Sequence, residues 1–298
     1  MNILLLGKNG QLGQELQRTL LPLGRVTALG RDTLDMEATD TIAATLEAHA
    51  PDVIVNAAAW TQVDLAETAA DRAFRVNADA VGIIARFAQA HGASLVHYST
   101  DYVFDGRKQA PYVETDETNP MNAYGRSKRA GERAVQASGC KFILIRTSWV
   151  FSAEGTNFIK TILSLAQERP NLRVVADQFG APTSAELIAD VTAMAIAAHH
   201  GERLQSGIYH LAAQGRTSWY ELACYIIRRA HDLGFELQTD VANIEPIATE
   251  EYPRPAARPR NSLLNSNVLA DRLGLELPDW TVHVDRMLHQ LRRRELQS

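Results

Sequence analysis

The chain contains 298 residues, with 30 Lys and Arg against 35 Asp and Glu and a formal net charge of −5. Hydrophobic residues make up 46% of it and charged residues 22%, as in ordinary globular proteins that bury a sizeable core. The acidic balance gives no general attraction to the phosphates of nucleic acid or to an anionic membrane surface. We therefore expect a small molecule or another subunit as the partner, and neither nucleic acid nor a membrane.

The amino-terminal segment and the cysteines indicate where the protein works. The first seven residues contain a short apolar run with no basic residue before it, unlike a secretory signal. No stretch approaches the roughly 18 consecutive apolar residues of a membrane span. Cys140 and Cys224 lie too far apart in the sequence for a metal or redox pair motif, so reduced thiols are expected. These features predict a soluble, cytoplasmic protein.

Apolar runs of strand length alternate with amphipathic segments of helix length along much of the chain. The first apolar run, at residues 3–6, is followed by leucines at helical spacing within 12–23. Such alternation predicts a parallel sheet with helices on both faces. The predicted elements are strand 3–6, helix 12–23, strand 26–29, helix 41–50, strand 53–56, helix 71–91, strand 94–99, helix 123–137, strand 142–147, strand 172–175, helix 187–199 and helix 220–230.

A change of composition near residue 250 predicts a long loop. Residues 251–262 include three Pro and three Arg, which suits neither a regular helix nor a central strand. A final helical segment is expected over 265–273 and 282–291. Arg254, Arg258 and Arg260 of the loop either grip a substrate pyrophosphate, which guanidinium groups suit, or simply face solvent.

A glycine-rich turn lies between the first predicted strand and the first predicted helix. Gly7, Gly10 and Gly13 follow the spacing Gly-x-x-Gly-x-x-Gly. Glycines permit a tight turn and close approach of the backbone, while free N–H groups and the helix dipole attract an anion. Such turns also serve as plain connections, but this position favours the pyrophosphate of a dinucleotide.

The end of the second predicted strand bears on which dinucleotide binds. Gly30, Arg31 and Asp32 stand there, with no acid at the strand tip itself. A guanidinium at Arg31 suits a ribose 2′-phosphate, although a solvated surface arginine is an equal alternative. Asp32 or Asp35 would instead accept the 2′-hydroxyl of NADH. We therefore expect NADPH first and keep NADH open.

Tyr124 and Lys128 lie four residues apart on a predicted helix, and so about 40° apart on one face. A phenol with a pKa of about 10 is a poor acid or base at neutral pH unless an ammonium stabilises its phenolate. Lys128 would supply that ammonium, and Thr100, at the end of the fourth strand, would bond a reacting carbonyl oxygen. Each feature alone is common, but with the glycine turn they indicate nicotinamide-dependent carbonyl chemistry.

These motifs, together with Asn77 and residues 56–59, resemble those of the extended short-chain dehydrogenase/reductase family. Within that family the chain is similar, from residue 1 to about residue 291, to reductases of nucleotide-linked 4-keto sugars. The closer resemblance is carried by residues 99–106, 146–150, 177–183 and 258–262.

The resemblance and the alternation of elements together predict a Rossmann-type, doubly wound α/β fold with a smaller C-terminal substrate-binding lobe. Residues 1–150, with returning segments within about 172–215, would form the dinucleotide-binding domain. Residues 151–298 would mainly form the lobe, which is discontinuous in sequence. The site would then lie in the cleft between the two.

The resemblance also implies roles for the site residues. Tyr124 would donate a proton to O4 of the sugar while hydride from the nicotinamide reaches C4, and Lys128 would hold the ribose and lower the pKa of the tyrosine. The residues expected against the substrate are Thr100, Asp101, Trp149, Arg258 and Asn261. Those expected against the cofactor are Gly7, Gly10, Gln11, Leu12, Gly13, Arg31, Asp35, Thr61, Gln62, Val63, Tyr98, Tyr124 and Lys128.

A metal site and a homodimer are further family-level questions. Some members of the family hold Mg²⁺ at a dimer interface through glutamates, and Glu15 and Glu186 align with two of these glutamate positions. Gln290 occupies the third, where a hard cation would prefer a charged oxygen. We therefore expect no metal ligands, keep Mg²⁺ only as a doubtful alternative, and take a homodimer as the family-level expectation.

Two other functions stay open. An epimerase or dehydratase of the same superfamily would recycle a tightly held NAD. The resemblance to dehydratases would imply the sequence Thr-Asp-Glu at the end of the fourth strand. Here Tyr102 follows Thr100 and Asp101, so the extra acid for eliminating water is missing. A non-catalytic, cofactor-binding regulatory subunit is the other alternative, and the intact Tyr124 and Lys128 argue against it.

Overall fold

The computed structural model describes residues 1–296, which form twelve strands and ten α-helices. The strands are β1 (Asn2–Leu6), β2 (Arg25–Leu29), β3 (Val53–Asn56), β4 (Ser94–Thr100), β5 (Lys141–Thr147), β6 (Val150–Phe151), β7 (Leu172–Val175), β8 (Phe179–Gly180), β9 (Thr183–Ser184), β10 (Gly207–His210), β11 (Thr217–Ser218) and β12 (Ile244–Ile247). The α-helices are α1 (Gln11–Thr19), α2 (Thr39–His49), α3 (Ala70–Phe74), α4 (Ala80–His91), α5 (Ala123–Ser138), α6 (Phe158–Glu168), α7 (Ala185–His200), α8 (Trp219–Asp232), α9 (Asn267–Leu273) and α10 (Trp280–Glu295).

Six strands in the described part of the chain form a parallel sheet in the order β10-β5-β4-β3-β1-β2. The chain winds from β1 to β2 on one side and then continues from β3 on the other side of β1. In open sheets of this kind, ligands bind outside the carboxyl ends of the strands where the winding reverses. The predicted doubly wound α/β fold is therefore confirmed, and the crevice is expected at the ends of β1 and β3.

The apolar run of β1 shows why both faces of the sheet are covered. Ile3 and Leu5 lie in one core with side chains of α1 and α7, whereas Leu4 and Leu6 lie in a second core with side chains of α2 and α4. Successive side chains of a strand point to opposite faces, so a strand buried on both sides reads as a continuous apolar run. The helices on both faces follow directly from that pattern.

A smaller group of elements packs beyond the main sheet. It contains three two-stranded sheets, β7 with β12, β6 with β9, and β8 with β11. Helices α6, α8 and α10 pack together beside them. Residues 172–215 therefore contribute to both parts of the fold. Strand β7 lies outside the central sheet, whereas β10 pairs with β5 at the edge of the central sheet.

Several elements differ from the sequence prediction for local reasons. The helix predicted over 12–23 ends at Thr19, because Pro22 has no N–H to continue it, and a 3₁₀ turn follows over Leu21–Leu23. The helix predicted over 71–91 contains a π-helical turn at Arg75–Asp79, between α3 and α4. Helix α6 and strands β6 and β8–β12 were not predicted; four of these six strands have only two residues, and β12 contains Pro246.

Two further observations concern the whole described chain. Among residues 1–296, no helix combines the length and apolar character needed to cross a membrane. Cys140 and Cys224 are both buried and carry free thiols.

Candidate active site

The glycine turn between β1 and α1 forms a cradle. Gly7 has a φ of 86°, which favours glycine, and a Cβ on Gly13 would lie only 2.0 Å from the Gly7 carbonyl oxygen. A Cβ on Gly10 would meet nothing nearer than 3.5 Å. Gly10 is also the N-cap of α1 and provides no side-chain cap, so N–H groups of the first turn, such as those of Gln11 and Leu12, are suited to an anion. The cradle therefore fits a pyrophosphate.

A cavity of about 240 Å³ opens beside this cradle, at the ends of β1, β2 and β3. Leu34, Met36 and Val76 line it with apolar side chains. Arg31 and Asp35, both expected against the cofactor, also line it. The cavity thus offers an apolar surface for a base and a charged region for the ribose.

A set of four charges, which we call the ribose charge cluster, stands at this cavity. It consists of Arg31, Asp35, Glu37 and Arg72. Glu37 accepts two hydrogen bonds from Arg72, at 2.8 and 2.9 Å, and one from Arg31 at 2.9 Å. Arg31 also donates to Asp35 at 3.3 Å. The hydrogen bond from Arg72 holds the pKa of Glu37 below its usual range.

Sequence reasoning missed two members of the ribose charge cluster. Neither Glu37 nor Arg72 belongs to a motif, and the available signal was an acid six residues after Arg31. Arg72 comes from α3, where its guanidinium lies 4.9 Å from the centre of the Trp60 ring. Tertiary packing alone brings these charges together.

The segment after β3 and the end of β4 flank the same crevice. Residues 61–63 follow directly on Trp60, and Val63 packs in a small cluster with Tyr124. Tyr98, also expected against the cofactor, turns its ring into the core, where its hydroxyl lies 2.9 Å from the Thr192 hydroxyl. Tyr98 therefore contributes its backbone, rather than its hydroxyl, to the crevice side.

Helix α5 approaches the sheet closely because small residues face its neighbours. Asn122 begins the helix by accepting the Gly125 N–H at 2.7 Å. A Cβ on Gly125 would lie 2.2 Å from the Tyr102 carbonyl oxygen, and a Cβ on Gly131 would lie 2.0 Å from that of Asn77. These glycines allow α5 to pack against the end of β4 and against the π-helical turn.

Asn77, in that π-helical turn, ties three segments together. Its side-chain oxygen accepts the Trp60 N–H at 2.9 Å, and its amide group donates to the Trp60 carbonyl at 3.0 Å and to the Ser127 hydroxyl at 2.9 Å. Ser127 in turn donates to the Tyr124 carbonyl at 2.7 Å. The network fixes the start of α5 relative to the turn after β3.

Tyr124 and Lys128 are both buried in the first turns of α5. The Lys128 ammonium donates to the Tyr98 carbonyl at 2.6 Å, and burial lowers the pKa of Lys128 to about 8, although the charge of Glu132 opposes this. Burial and the charge of Asp101 raise the pKa of Tyr124 above its usual range, which is opposite to the lowering by Lys128 that the resemblance implied. At neutral pH Tyr124 therefore keeps its proton, while Lys128 is still mainly charged.

Thr100 contacts a buried carboxyl group at the end of β4. Its hydroxyl donates to Asp101 at 2.9 Å and accepts the Tyr102 N–H at 3.2 Å, and the nearby Thr100 side chain partly opposes the rise in the pKa of Tyr124. Asp101 is 3% exposed, and burial raises its pKa to about 6 against hydrogen bonds from Ser262 and Thr100. The end of β4 thus presents two buried polar side chains, Thr100 and Asp101, joined by a hydrogen bond.

Trp149 lies two residues beyond the end of β5, with a φ of 50°. Its ring stacks on Trp219 of α8, with ring centres 3.4 Å apart and planes 8° apart. Because β5 runs beside β4 in register, the pair stands at the same edge of the sheet as Thr100. Sequence reasoning missed Trp219, which belongs to no motif of the predicted site.

A larger cavity, of about 920 Å³, lies beside the Pro-rich loop and the turn after β4. Arg216, Arg258 and Arg260 line it, and the Arg216 guanidinium lies 3.7 Å from the centre of the Phe179 ring. In all, five cationic side chains line it against the three carboxyl groups of Asp105, Asp177 and Glu250, and this positive balance suits an anionic ligand. Arg216 is a further residue that sequence reasoning missed.

The two predicted substrate residues of the Pro-rich loop also have partners within the protein. Arg258 forms an ion pair with Asp64 at 2.9 Å. The Asn261 amide donates to the carbonyls of Lys108 and Ala110, at 2.6 and 3.0 Å. Asn261 therefore anchors the loop with its amide group.

The residues considered for Mg²⁺ lie together without forming a suitable ligand set. Glu186 accepts hydrogen bonds from Arg286 at 2.7 Å and from Gln290 at 3.1 Å. Burial, and next the charge of Glu186, raise the pKa of Glu15. Within residues 1–296 there is no group of three or more His, Cys, Asp or Glu placed to hold a metal ion. A cation here would have to displace a guanidinium, so this donor set does not fit Mg²⁺.

The fold and the site define a nicotinamide-dependent oxidoreductase of the Rossmann type. The model of a family described as the RmlD substrate binding domain matches residues 1–293. The chain is also 48% identical over 295 residues to dTDP-4-dehydrorhamnose reductase of Burkholderia thailandensis, covering 98% of this chain and 99% of the relative. It belongs to the dTDP-4-dehydrorhamnose reductase family.

Other relatives support this assignment. The chain is 47% identical over 295 residues to dTDP-4-dehydrorhamnose reductase of Escherichia coli strain K12, covering 98% of each chain. It is similar to the crystal structure of dTDP-4-dehydrorhamnose reductase from Bacillus anthracis in complex with NADP, with a TM-score of 0.86 and 35% identity. That similarity covers 97% of this chain and 98% of the other.

Proposed function

We propose that the chain reduces the C4 keto group of dTDP-4-dehydro-L-rhamnose, giving dTDP-L-rhamnose, with NADPH or NADH as the reductant. The observation that carries the proposal is the placement of Tyr124 and Lys128, which are buried one turn apart on α5. The Tyr124 ring lies 5.6 Å from that of Tyr102, two residues beyond Thr100, and the Lys128 ammonium donates to the Tyr98 carbonyl of β4. In a member of this reductase family, that arrangement supplies a proton donor at the edge of the sheet where ligands bind.

A nicotinamide dinucleotide fits the residues present. The cradle around Gly10 has open space where a side chain would otherwise project, and the Bacillus anthracis relative was crystallised with NADP. The first turn of α1 would hold the pyrophosphate, and Lys128 would bind the ribose next to the nicotinamide. When bound, the reduced nicotinamide supplies a hydride to C4 of the sugar.

The chain's own part in the reaction is to place a proton on O4. The Tyr124 hydroxyl donates its proton to O4 while C4 accepts the hydride, so the keto group becomes a hydroxyl and the tyrosine becomes a phenolate. The Thr100 hydroxyl holds the reacting oxygen in place. The Lys128 ammonium stabilises the phenolate, which burial alone would disfavour, and a proton from solvent then restores Tyr124.

The rest of the substrate would extend away from Tyr124. The stacked indoles of Trp149 and Trp219 offer the sugar an apolar wall. Arg258 and Arg260 line the larger cavity, where guanidinium groups suit the diphosphate. Asp101, at the end of β4, would contact the sugar hydroxyls.

Loss of reduced-nicotinamide absorbance tests the proposal, with dTDP-4-dehydro-L-rhamnose and either NADPH or NADH. Tyr124→Phe should lower kcat by about 10²- to 10⁴-fold, the range for one positioned acid, and should leave cofactor binding unchanged. Tyr220→Phe, the same change at a half-buried residue of α8, should leave kcat unchanged. Cofactor binding without turnover would overturn the substrate assignment and favour another keto sugar or a regulatory subunit.

We infer further that the protein works in the cytoplasm as a homodimer. The free thiols of Cys140 and Cys224 support a reducing compartment. We also propose residues 1–150, with returning segments within about 172–215, as the dinucleotide-binding domain, and 151–298 mainly as the discontinuous substrate-binding lobe. Light scattering at assay concentration tests the dimer, and the mass of one chain would overturn it.

A further inference from the structure

We infer that Glu37 sets the preference between NADPH and NADH, by holding Arg31 in an ion pair that a ribose 2′-phosphate must break. The inference rests on the proposed function, because it concerns the cofactor of that reaction. It makes Glu37 a specificity-determining residue that opposes the cation predicted to favour NADPH.

The two arginines hold Glu37 in different ways. Arg72 makes two parallel hydrogen bonds to the carboxylate and also lies over the Trp60 ring, so it fixes Glu37 from one side. The Glu37 side chain is 18% exposed, whereas that of Arg31 is 69% exposed. Arg31 is therefore the partner that can turn toward a ligand, whereas Glu37 stays fixed and its charge favours the ion pair with Arg31.

The charges of the cluster balance before any ligand arrives. Arg31 and Arg72 contribute two positive charges, and Asp35 and Glu37 contribute two negative ones. A phosphate monoester carries a charge of about −1.5 to −2 near neutral pH. Beside Arg31 the phosphate would therefore face the carboxylates of Asp35 and Glu37 as well as the guanidinium. Both carboxylates already bind Arg31.

A ribose 2′-hydroxyl meets the same cluster differently. It carries no charge and can donate a hydrogen bond to a carboxylate, so it does not need Arg31 to leave its partners. The cluster thus accommodates NADH as it stands and admits NADPH only after Arg31 is released. Removing the charge of Glu37 should release Arg31 for the phosphate.

Calorimetric titration with NADPH and with NADH, in the absence of sugar, tests the inference. Glu37→Gln keeps the size of the side chain and removes its charge. At low ionic strength the dissociation constant for NADPH should fall about tenfold, and that for NADH should change by less than about twofold. Glu47→Gln, the same change on the exposed carboxyl end of α2, should alter neither constant.

Arg31 provides the second arm of the test. Arg31→Gln should weaken NADPH binding about tenfold and leave NADH binding unchanged, and adding Glu37→Gln to it should restore much less than the tenfold gain seen with Arg31 present. Arg31 is mostly exposed, so this variant remains informative even where Glu37→Gln fails to fold. Equal effects on both cofactors, or a Glu37→Gln gain of the same size with and without Arg31, would overturn the inference. Because no sugar is present, these outcomes are separate from a failure of the proposed reductase activity.

Discussion

Glu132 of α5 and Arg146 of β5 form a bidentate ion pair, with both nitrogen–oxygen distances at 2.8 Å. Their side chains are 0% and 2% exposed, so the pair is fully enclosed between helix and sheet. Glu132 lies one helical turn beyond Lys128, and its charge raises the pKa of that lysine against the larger effect of burial. The pair therefore fixes α5 to the sheet and keeps Lys128 closer to its charged form.

Breaking this pair should be costly. Glu132→Gln leaves the Arg146 guanidinium buried without its counter-charge, and the free energy of unfolding should fall by about 3–5 kcal/mol. Urea unfolding followed by circular dichroism measures the loss. Arg129→Gln serves as the control, because Arg129 is partly exposed and its contact with Glu132 is longer, at 3.4 Å; its cost should stay below about 1 kcal/mol. Similar values for the two variants would contradict an essential role for the Glu132–Arg146 pair.

The lowered pKa of Lys128 predicts how stability depends on pH. In the unfolded chain the ammonium loses its proton at its ordinary pKa of 10.5, but in the folded protein it does so at about 8. Between these values the unfolded state binds more protons, so the contribution of Lys128 rises with pH and is lost as pH falls through about 8. Relative to Lys128→Met, the wild type should gain up to about 1.4 kcal/mol per pH unit in this window.

Denaturant unfolding at several pH values checks this prediction, since the difference between wild type and Lys128→Met cancels the titration of other groups. The hydrogen bond from Lys128 to the Tyr98 carbonyl adds a further term that is lost in the variant. A difference in stability that does not change between about pH 8 and pH 10 would show that Lys128 titrates normally in the folded protein.

Local patterns explain which parts of the site could be predicted from the sequence. The glycine turn and the Tyr124–Lys128 pair each occupy a few consecutive residues, and Thr100 ends a strand that its apolar run reveals. Parallel strands bring their carboxyl ends to one edge, so the position of Thr100 at the crevice edge of the sheet followed from the fold. The fold class and the alternation of elements up to β5 were therefore predictable from the sequence, whereas helix α6 and most of the short strands after β5 were not.

Long-range packing explains what could not be predicted. Arg72 meets Glu37 across 35 residues of sequence, and Trp219 meets Trp149 across a distance twice as long. The π-helical turn at Arg75–Asp79 leaves no trace in an otherwise ordinary helical pattern. The amide of Asn261, which also lines the larger cavity, anchors the loop to two carbonyl groups that no motif indicates. Such pairings depend on the positions of whole elements, which spacing within one segment does not encode.

The close approach of α5 to Asn77 makes Gly131 sensitive to a single methyl group. A Cβ there would lie 2.0 Å from a backbone oxygen, so Gly131→Ala must push α5 away from the π-helical turn. We expect a loss of about 1–3 kcal/mol in stability, as for other overpacked sites, with a lower kcat because α5 carries Lys128. Gly82→Ala on α4 is the control: its Cβ would meet the flexible end of Arg86 at 3.3 Å and the Ala134 Cβ at 3.4 Å, and no backbone atom, so helix propensity should make it neutral or stabilising. Thermal melts and turnover assays separate the two variants.

The stacked indoles predict a change in substrate binding that leaves the cofactor untouched. Trp219→Leu removes the ring that lies against Trp149, so the sugar wall should lose its fixed position. Stacked aromatic pairs contribute about 0.5–1.5 kcal/mol beyond their buried area, which corresponds to a rise of about two- to tenfold in KM for the keto sugar. The dissociation constant for NADPH, measured by calorimetry, should stay the same.

Trp60→Leu, at the cofactor cavity, serves as the control. It should weaken cofactor binding and leave the KM for the keto sugar unchanged. A Trp219→Leu enzyme with a normal sugar KM would show that the indole pair is only part of the core.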